Sequence, residues 1–271
     1  MDHMESRCCF DASLYTGSPD AAPCPKSMDV PRFIAELDAL YNSGQEQKAG
    51  LMLDEGIEKA RAAGDWRAEL SLLSELCGHC RRSGEREKAL EGIERLMEII
   101  REHRMGSTVS AATVLLNAAT TLKCFGLAAD SIPVFRHVSR VYSSKLDPMD
   151  YRFAGLYNNM ALSCADVGEH KQAEALFRAA MKVIESCPVP QNELAVTLCN
   201  LAELYYKQDA EDVRVDGCME RAWEYLSDSA LPHDGYHAFT ISKCAPSFDR
   251  FGFFLYAKEL RERAEKIYAL S

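Results

Sequence analysis

Residues 156–185 read LYNNMALSCADVGEHKQAEALFRAAMKVIE, two helical stretches hinged on Gly168. Seven residues before that glycine stands Ala161, five after it Ala173, and four further on Phe177. Small residues in the middle of two helices let their axes approach, and large residues one turn away fill the remaining groove. The stretch therefore reads as a close-packed helical hairpin. One such hairpin cannot bury its apolar stripe alone, so the reading requires neighbours of the same kind.

Those neighbours lie on either side. Gly44, Gly84, Gly126, Gly168 and Gly252 punctuate the chain at intervals of 40, 42, 42 and 84 residues, the last being two units of 42. The small slot after each glycine holds Ala49, Ala89, Ser131, Ala173 or Ala257, and Leu53, Ile93, Phe135 and Phe177 follow four residues later. The slot before each glycine holds Leu37, Cys77, Ala119, Ala161 or Ala245. A fifth unit falls between Gly168 and Gly252. It has Ala202 in the small slot, Asp209 in place of the glycine, and a second helix best aligned on Val215, Met219 and Ala222. The register predicts six helix-turn-helix units, about twelve helices.

This pattern resembles the tetratricopeptide repeat over residues 31–271, with Tyr157, Met160, Ala161, Gly168, Ala173, Phe177 and Ala180 of the opening stretch at its positions. Units near 42 residues with an Asn-Asn-Leu/Met-Ala core, here YNNMA and CNLA, resemble repeats of the kinesin-light-chain type. The resemblance implies an all-α, right-handed superhelical solenoid of about six repeats at 30–271, with the first helix of each hairpin lining a concave face. Residues 1–29, with Gly17, Pro19, Pro23 and Pro25, are expected to form a flexible arm. Asp29 is expected to cap the first helix and Pro31 to sit in its first turn. Pro133 suggests a helix start near Asp130, and Pro246 a kink or restart. The charged closing helix suits a terminal cap.

Composition agrees with a helical, non-exported chain. Glycine (15) and proline (10) are too scarce for the turns of a β-rich protein. No apolar run reaches membrane-spanning length, and the N-terminus lacks the apolar core of a signal peptide. Eleven cysteines in a 271-residue chain read as reduced thiols, which places the protein in the cytoplasm. The net charge of -10 argues against non-specific nucleic-acid binding, which needs clustered Lys and Arg.

Cys77-Gly78-His79-Cys80 spells a thiol-disulfide motif, yet both cysteines occupy packing slots in mid-helix. A reactive pair needs a helix N-terminus to depress a thiol pKa. Core packing is therefore the expected role, and a thiol-disulfide enzyme using Cys77 and Cys80 is a remote alternative. His3, Cys8, Cys9 and Cys24 match no metal-ligand spacing. No nucleophile elbow, phosphate loop, dinucleotide fingerprint or zincin motif is present. No catalytic residue, metal or cofactor is expected.

The expected inner wall is more informative. Asn117, Asn159 and Asn200 each stand nine residues before their punctuation mark, with Asn158 beside the second. Asparagine lowers helix propensity by about half a kcal/mol, so its recurrence calls for a reason. A side-chain amide can pair with the main chain of an extended peptide of any sequence, as similar ladders do in kinesin-light-chain-like grooves. The other reading has these residues holding the stack together. Arg81, Arg82, Lys123, Lys207, Lys243 and Arg250 also fall on inward positions, against Asp38, Glu75, Asp166, Glu203 and Asp249. The wall is thus near neutral while the acidic excess lies outside. Tyr41, Tyr206 and Phe239 offer apolar anchors. The expected function is a non-catalytic scaffold holding a protein or peptide segment with acidic residues. A peptide-responsive sensor of a bacterial signalling pathway is the alternative. No nucleic-acid or membrane partner is expected, and self-association through end repeats is left open.

Overall fold

The structure, a computed structural model, describes residues 24–270. Among them are twelve α-helices and no strand, an all-α helical-repeat fold. Most of the expected arm, with His3, Cys8 and Cys9, lies outside the described residues. No helix among those described is long and apolar enough to cross a membrane.

The helices fall into two compact units that divide at Leu146 and Asp147. The first contains α1 (Val30–Asn42), α2 (Glu46–Ala62), α3 (Trp66–Ser83), α4 (Arg86–Glu102), α5 (Val109–Cys124) and α6 (Ala128–Lys145). The second contains α7 (Arg152–Asp166), α8 (His170–Ile184), α9 (Gln191–Gln208), α10 (Arg214–Leu226), α11 (Gly235–Arg250) and α12 (Phe254–Leu270). In each unit successive helices pair as antiparallel hairpins. The first helices of neighbouring hairpins also touch: α3 meets α5, and α9 meets both α7 and α11.

The punctuating glycines have a conformational cause. All five adopt φ between +70° and +86°, the left-handed geometry that ends a helix without a Cβ clash. Asp209 cannot take that path cheaply. It leaves α9 in an extended conformation, φ -153°, and its carboxylate accepts from the Glu211 amide at 3.0 Å. The turn to α10 is correspondingly longer.

The small slots pack as the register requires. Ala49, Ala89, Ser131, Ala173, Ala257, Ala119, Ala161, Ala202 and Ala245 are fully buried, and so are Leu53, Phe135 and Phe177 beside them. Val215, Met219 and Ala222 of α10 are buried as the fifth unit's alignment anticipated. A closer approach occurs at Gly50 in α2. A Cβ there would lie 2.6 Å from Nε2 of His79, whose Nδ1 is held 3.0 Å from the Tyr41 hydroxyl.

Asp29 caps α1, accepting from the Arg32 amide at 3.3 Å, and Pro31 lies in the first turn. Two proline expectations need correction. The helix containing Pro133 begins at Ala128, two residues before Asp130. Its Ala129 carbonyl loses an amide partner but lies on the exposed side, as does Pro133 itself. The helix around Pro246 runs unbroken from Gly235 to Arg250, which removes the restart named as one alternative.

Candidate functional site

The first helices of the hairpins carry the wall residues, and the two units use them differently. In the first unit Asn117 of α5 is fully engaged by α3. Its Nδ2 donates to the Ser74 carbonyl at 2.9 Å and to Ser74 Oγ at 3.1 Å. Its Oδ1 accepts from Arg81 Nη1 at 2.9 Å, and the same nitrogen donates to Thr121 Oγ1 at 2.6 Å. Asn117 and Arg81 therefore stitch α3 to α5. Lys123 is buried rather than displayed. The Arg82 guanidinium lies 3.7 Å from the centre of the Tyr41 ring, a cation–π stack.

Glu75 occupies in α3 the register position that Asn117 holds in α5, nine residues before its glycine. Burial pushes its carboxyl up to about 7, with the Asp38 carboxylate adding to the effect and Arg82 and Arg81 opposing it. Two turns earlier on the same helix, Glu69 is buried on another face. There it accepts from Arg61 Nε at 2.9 Å and from Arg95 Nε and Nη2 at 2.9 and 3.2 Å. Burial pulls its pKa up, but the two arginines outweigh burial and hold it below the ordinary carboxylate range. The register marks the wall position of Glu75 but does not reveal the two arginines that meet on Glu69.

In the second unit the asparagines stand otherwise. Asn158 of α7 donates from Nδ2 to Thr197 Oγ1 of α9 at 2.9 Å and so joins two first helices. Asn159 is 7 % exposed and Asn200 8 % exposed. Yet Asn159 Oδ1 and Asn200 Nδ2 have no hydrogen-bond partner among the described residues. The difference from Asn117 has a local cause at Asn200. Asn158 occupies in α7 the register position of Ser74, the residue in α3 that accepts from Asn117 Nδ2, so Asn200 Nδ2 has no serine there to donate to. Asn158 Oδ1 and Gln191 Oε1 share this state, and buried amide atoms without partners are uncommon and costly.

Around them the charged wall residues are cross-linked between neighbouring helices. Lys207 of α9 lies 3.8 Å from Asp166 of α7, and Arg250 of α11 lies 3.3 Å from Glu203 of α9. Arg250 also sits 5.2 Å from the Tyr206 ring centre. Lys243 lies 5.7 Å from the centre of the Phe239 ring, which is about half exposed. These contacts put α7, α9 and α11 side by side on one surface.

Cys77 and Cys80 are buried in the C-terminal half of α3, away from its N-terminus. Burial, the largest cause, pushes the Cys80 thiol up to about 11, the opposite of what a nucleophilic thiolate needs. Among the described residues no group of three or more His, Cys, Asp or Glu is placed to hold a metal ion.

Comparison with known proteins agrees with this architecture. Residues 152–212 match the tetratricopeptide repeat family model, a span that contains both Asn159 and Asn200. No curated protein sequence matches the chain. Among solved structures it is similar to BtubC (BKLC) from P. vanneervenii, at 17% identity and TM-score 0.57, over 83% of this chain and 91% of that one. It is also similar to the nearly identical tetratricopeptide-like repeats assigned to a kinesin light chain of Podosopora anserina. There the identity is 16% and the TM-score 0.52, over 74% of this chain and 95% of that one. A third similar structure is NprR in complex with its cognate peptide NprX, at 16% identity and TM-score 0.53, over 87% of this chain and 66% of that one. At these identities the likeness concerns the fold.

Proposed function

Because the chain is a tetratricopeptide-repeat protein, we propose that it is a non-catalytic scaffold that holds a peptide or protein segment against the first helices of its second unit. The observation that carries this reading is the pair of buried, partnerless amide atoms, Asn159 Oδ1 and Asn200 Nδ2, at equivalent positions of successive repeats. A segment in extended conformation has both a carbonyl and an N–H to offer them at each residue. Lys207, Arg250 and Tyr206 flank the two asparagines and suit a segment bearing carboxylates and an apolar anchor. Asn158 ties α7 to α9 behind them, while in the first unit Arg81 and Asn117 are engaged with each other, Lys123 is buried and Arg82 stacks on Tyr41. The scaffold works in the cytoplasm, in keeping with its buried thiols, and takes neither nucleic acid nor membrane.

The test pairs binding with stability. Binders selected from a random-peptide display library on the full chain should lose affinity about tenfold or more when Asn159 and Asn200 are changed to Ala. The same changes should move the urea midpoint little, since no protein hydrogen bond is lost. Asn117→Ala should do the reverse, costing about 1–2 kcal/mol of stability by removing the partners of Ser74 and Arg81. Equal binding by the double variant would place the partner elsewhere.

A second reading, a regulatory sensor whose repeats change pitch on peptide binding, draws on the NprR–NprX neighbour. It predicts a fall in the radius of gyration by small-angle scattering when a selected peptide is added. An unchanged radius at saturation leaves the plain scaffold.

A further inference from the structure

Pro246 stands in α11 at the register slot that Glu203 fills in α9, and it is exposed. Among the described residues no other first helix carries a proline beyond its first turn. Proline has no N–H, so the Ser242 carbonyl, four residues back, has no helical donor. The Ser242 hydroxyl does not answer that carbonyl, because it donates to the Ala238 carbonyl at 2.8 Å. We infer that the Ser242 carbonyl is a third main-chain reader of the second unit's wall, accepting an N–H of the bound segment. The inference rests on the wall reading proposed above and adds a requirement: the residue opposite α11 is not proline.

The first support is position. From the same slot in α9, Glu203 reaches Arg250 of α11 at 3.3 Å, so the slot belongs to the surface that α7, α9 and α11 share. The ring of an interior proline abuts the carbonyl four residues back. With Pro246 exposed and Ser242 half-buried, that side of α11 is open wall rather than packed interior.

The second is chemical sequence. Asn159 Oδ1 accepts, Asn200 Nδ2 donates, and the Ser242 carbonyl accepts. Successive first helices thus call for an N–H, a C=O and an N–H, groups that every non-proline residue of the segment carries. Helices in contact lie about 8–10 Å apart. A polyproline-II-like chain has about three residues per turn and rises about 3.1 Å per residue. One turn, about 9 Å, therefore brings the same side of the segment to each helix in turn.

The third is what proline does to α11. Alanine at this slot would supply the missing N–H and close the helix, so the proline leaves an acceptor open at the expense of stability.

The experiment selects random dodecapeptides on the full chain and scans one tight binder by N-methylation, residue by residue. The scan is repeated on Pro246→Ala, Ser242→Ala and Asn159→Ala/Asn200→Ala. Of the methyl groups that weaken binding to the unaltered chain about tenfold, one should lose its effect on Pro246→Ala and keep it on Ser242→Ala. Pro246→Ala should also bind the unmethylated peptide about tenfold more weakly while its urea midpoint holds or rises, which separates lost binding from lost folding. The same methylation pattern on the unaltered chain and on Pro246→Ala overturns the inference. So does a penalty erased by Ser242→Ala, which would make the hydroxyl the reader. In either case the wall reading stands by itself if the asparagine variant loses the peptide. If that variant binds as tightly as the unaltered chain, or no peptide is selected, the wall reading fails and this inference with it.

Discussion

Glu75→Gln should stabilise the first unit at pH 8 by about 2–3 kcal/mol and leave it nearly unchanged at pH 4. The sign follows from linkage. Burial beside Asp38 raises the folded-state pKa of Glu75 to about 7, above the ordinary 4.5. Between those values the folded chain holds the proton that the unfolded chain has released. Stability therefore falls as pH rises through this window, and the penalty is complete above about 7. The groups that face Glu75 are Asp38 of α1 and Arg81 and Arg82 of its own helix. Glutamine keeps the shape and removes the charge that burial penalises. Urea unfolding across pH 4 to 8 measures the difference, and a constant offset between the two proteins would contradict the assignment.

Glu69→Ala should destabilise the same unit by about 3 kcal/mol at pH 7, because removing one partner of a buried ion pair leaves the others uncompensated. Arg61 of α2 and Arg95 of α4 both meet on this carboxylate, so three helices lose a common point of attachment. The figure sits at the low end of the range for buried pairs, since Arg61 keeps about half its exposure and can turn to water. The pH dependence is opposite to that of Glu75. The folded-state pKa of Glu69 is depressed, so its contribution is present above the ordinary glutamate pKa and lost as pH falls through the folded value. The gap between Glu69→Ala and the unaltered chain should close in acid, whereas that for Glu75→Gln should open as pH rises. Thermal unfolding of both variants at pH 4 and pH 8 tests the two slopes together.

The two glutamates show where reading by register stops. Both lie on α3, six residues apart, and that spacing turns them onto different faces. Glu75 faces the wall and Glu69 the arginines of α2 and α4. The wall position of Glu75 was legible from its distance to Gly84, but no count along the chain reveals that Arg61 and Arg95 converge on Glu69. The asparagines divide in the same way. Their common position was readable from the repeat, yet Asn117 Nδ2 donates to Ser74 of α3, while Asn200 Nδ2 has Asn158 at that register position and no hydrogen-bond partner among the described residues. Lys123 was expected on the wall by the same count and is buried.

What the sequence alone determined is the repeat: the hairpins, their turns and their small packing slots. These depend on local rules, since a left-handed turn selects glycine and close helix contact selects alanine, and such rules repeat at fixed intervals. Only the tertiary structure decided which wall residues are engaged and which buried amide atoms have no hydrogen-bond partner among the described residues. That depends on the side chain brought across from the next helix about 40 residues away, and nothing in the local chain constrains it.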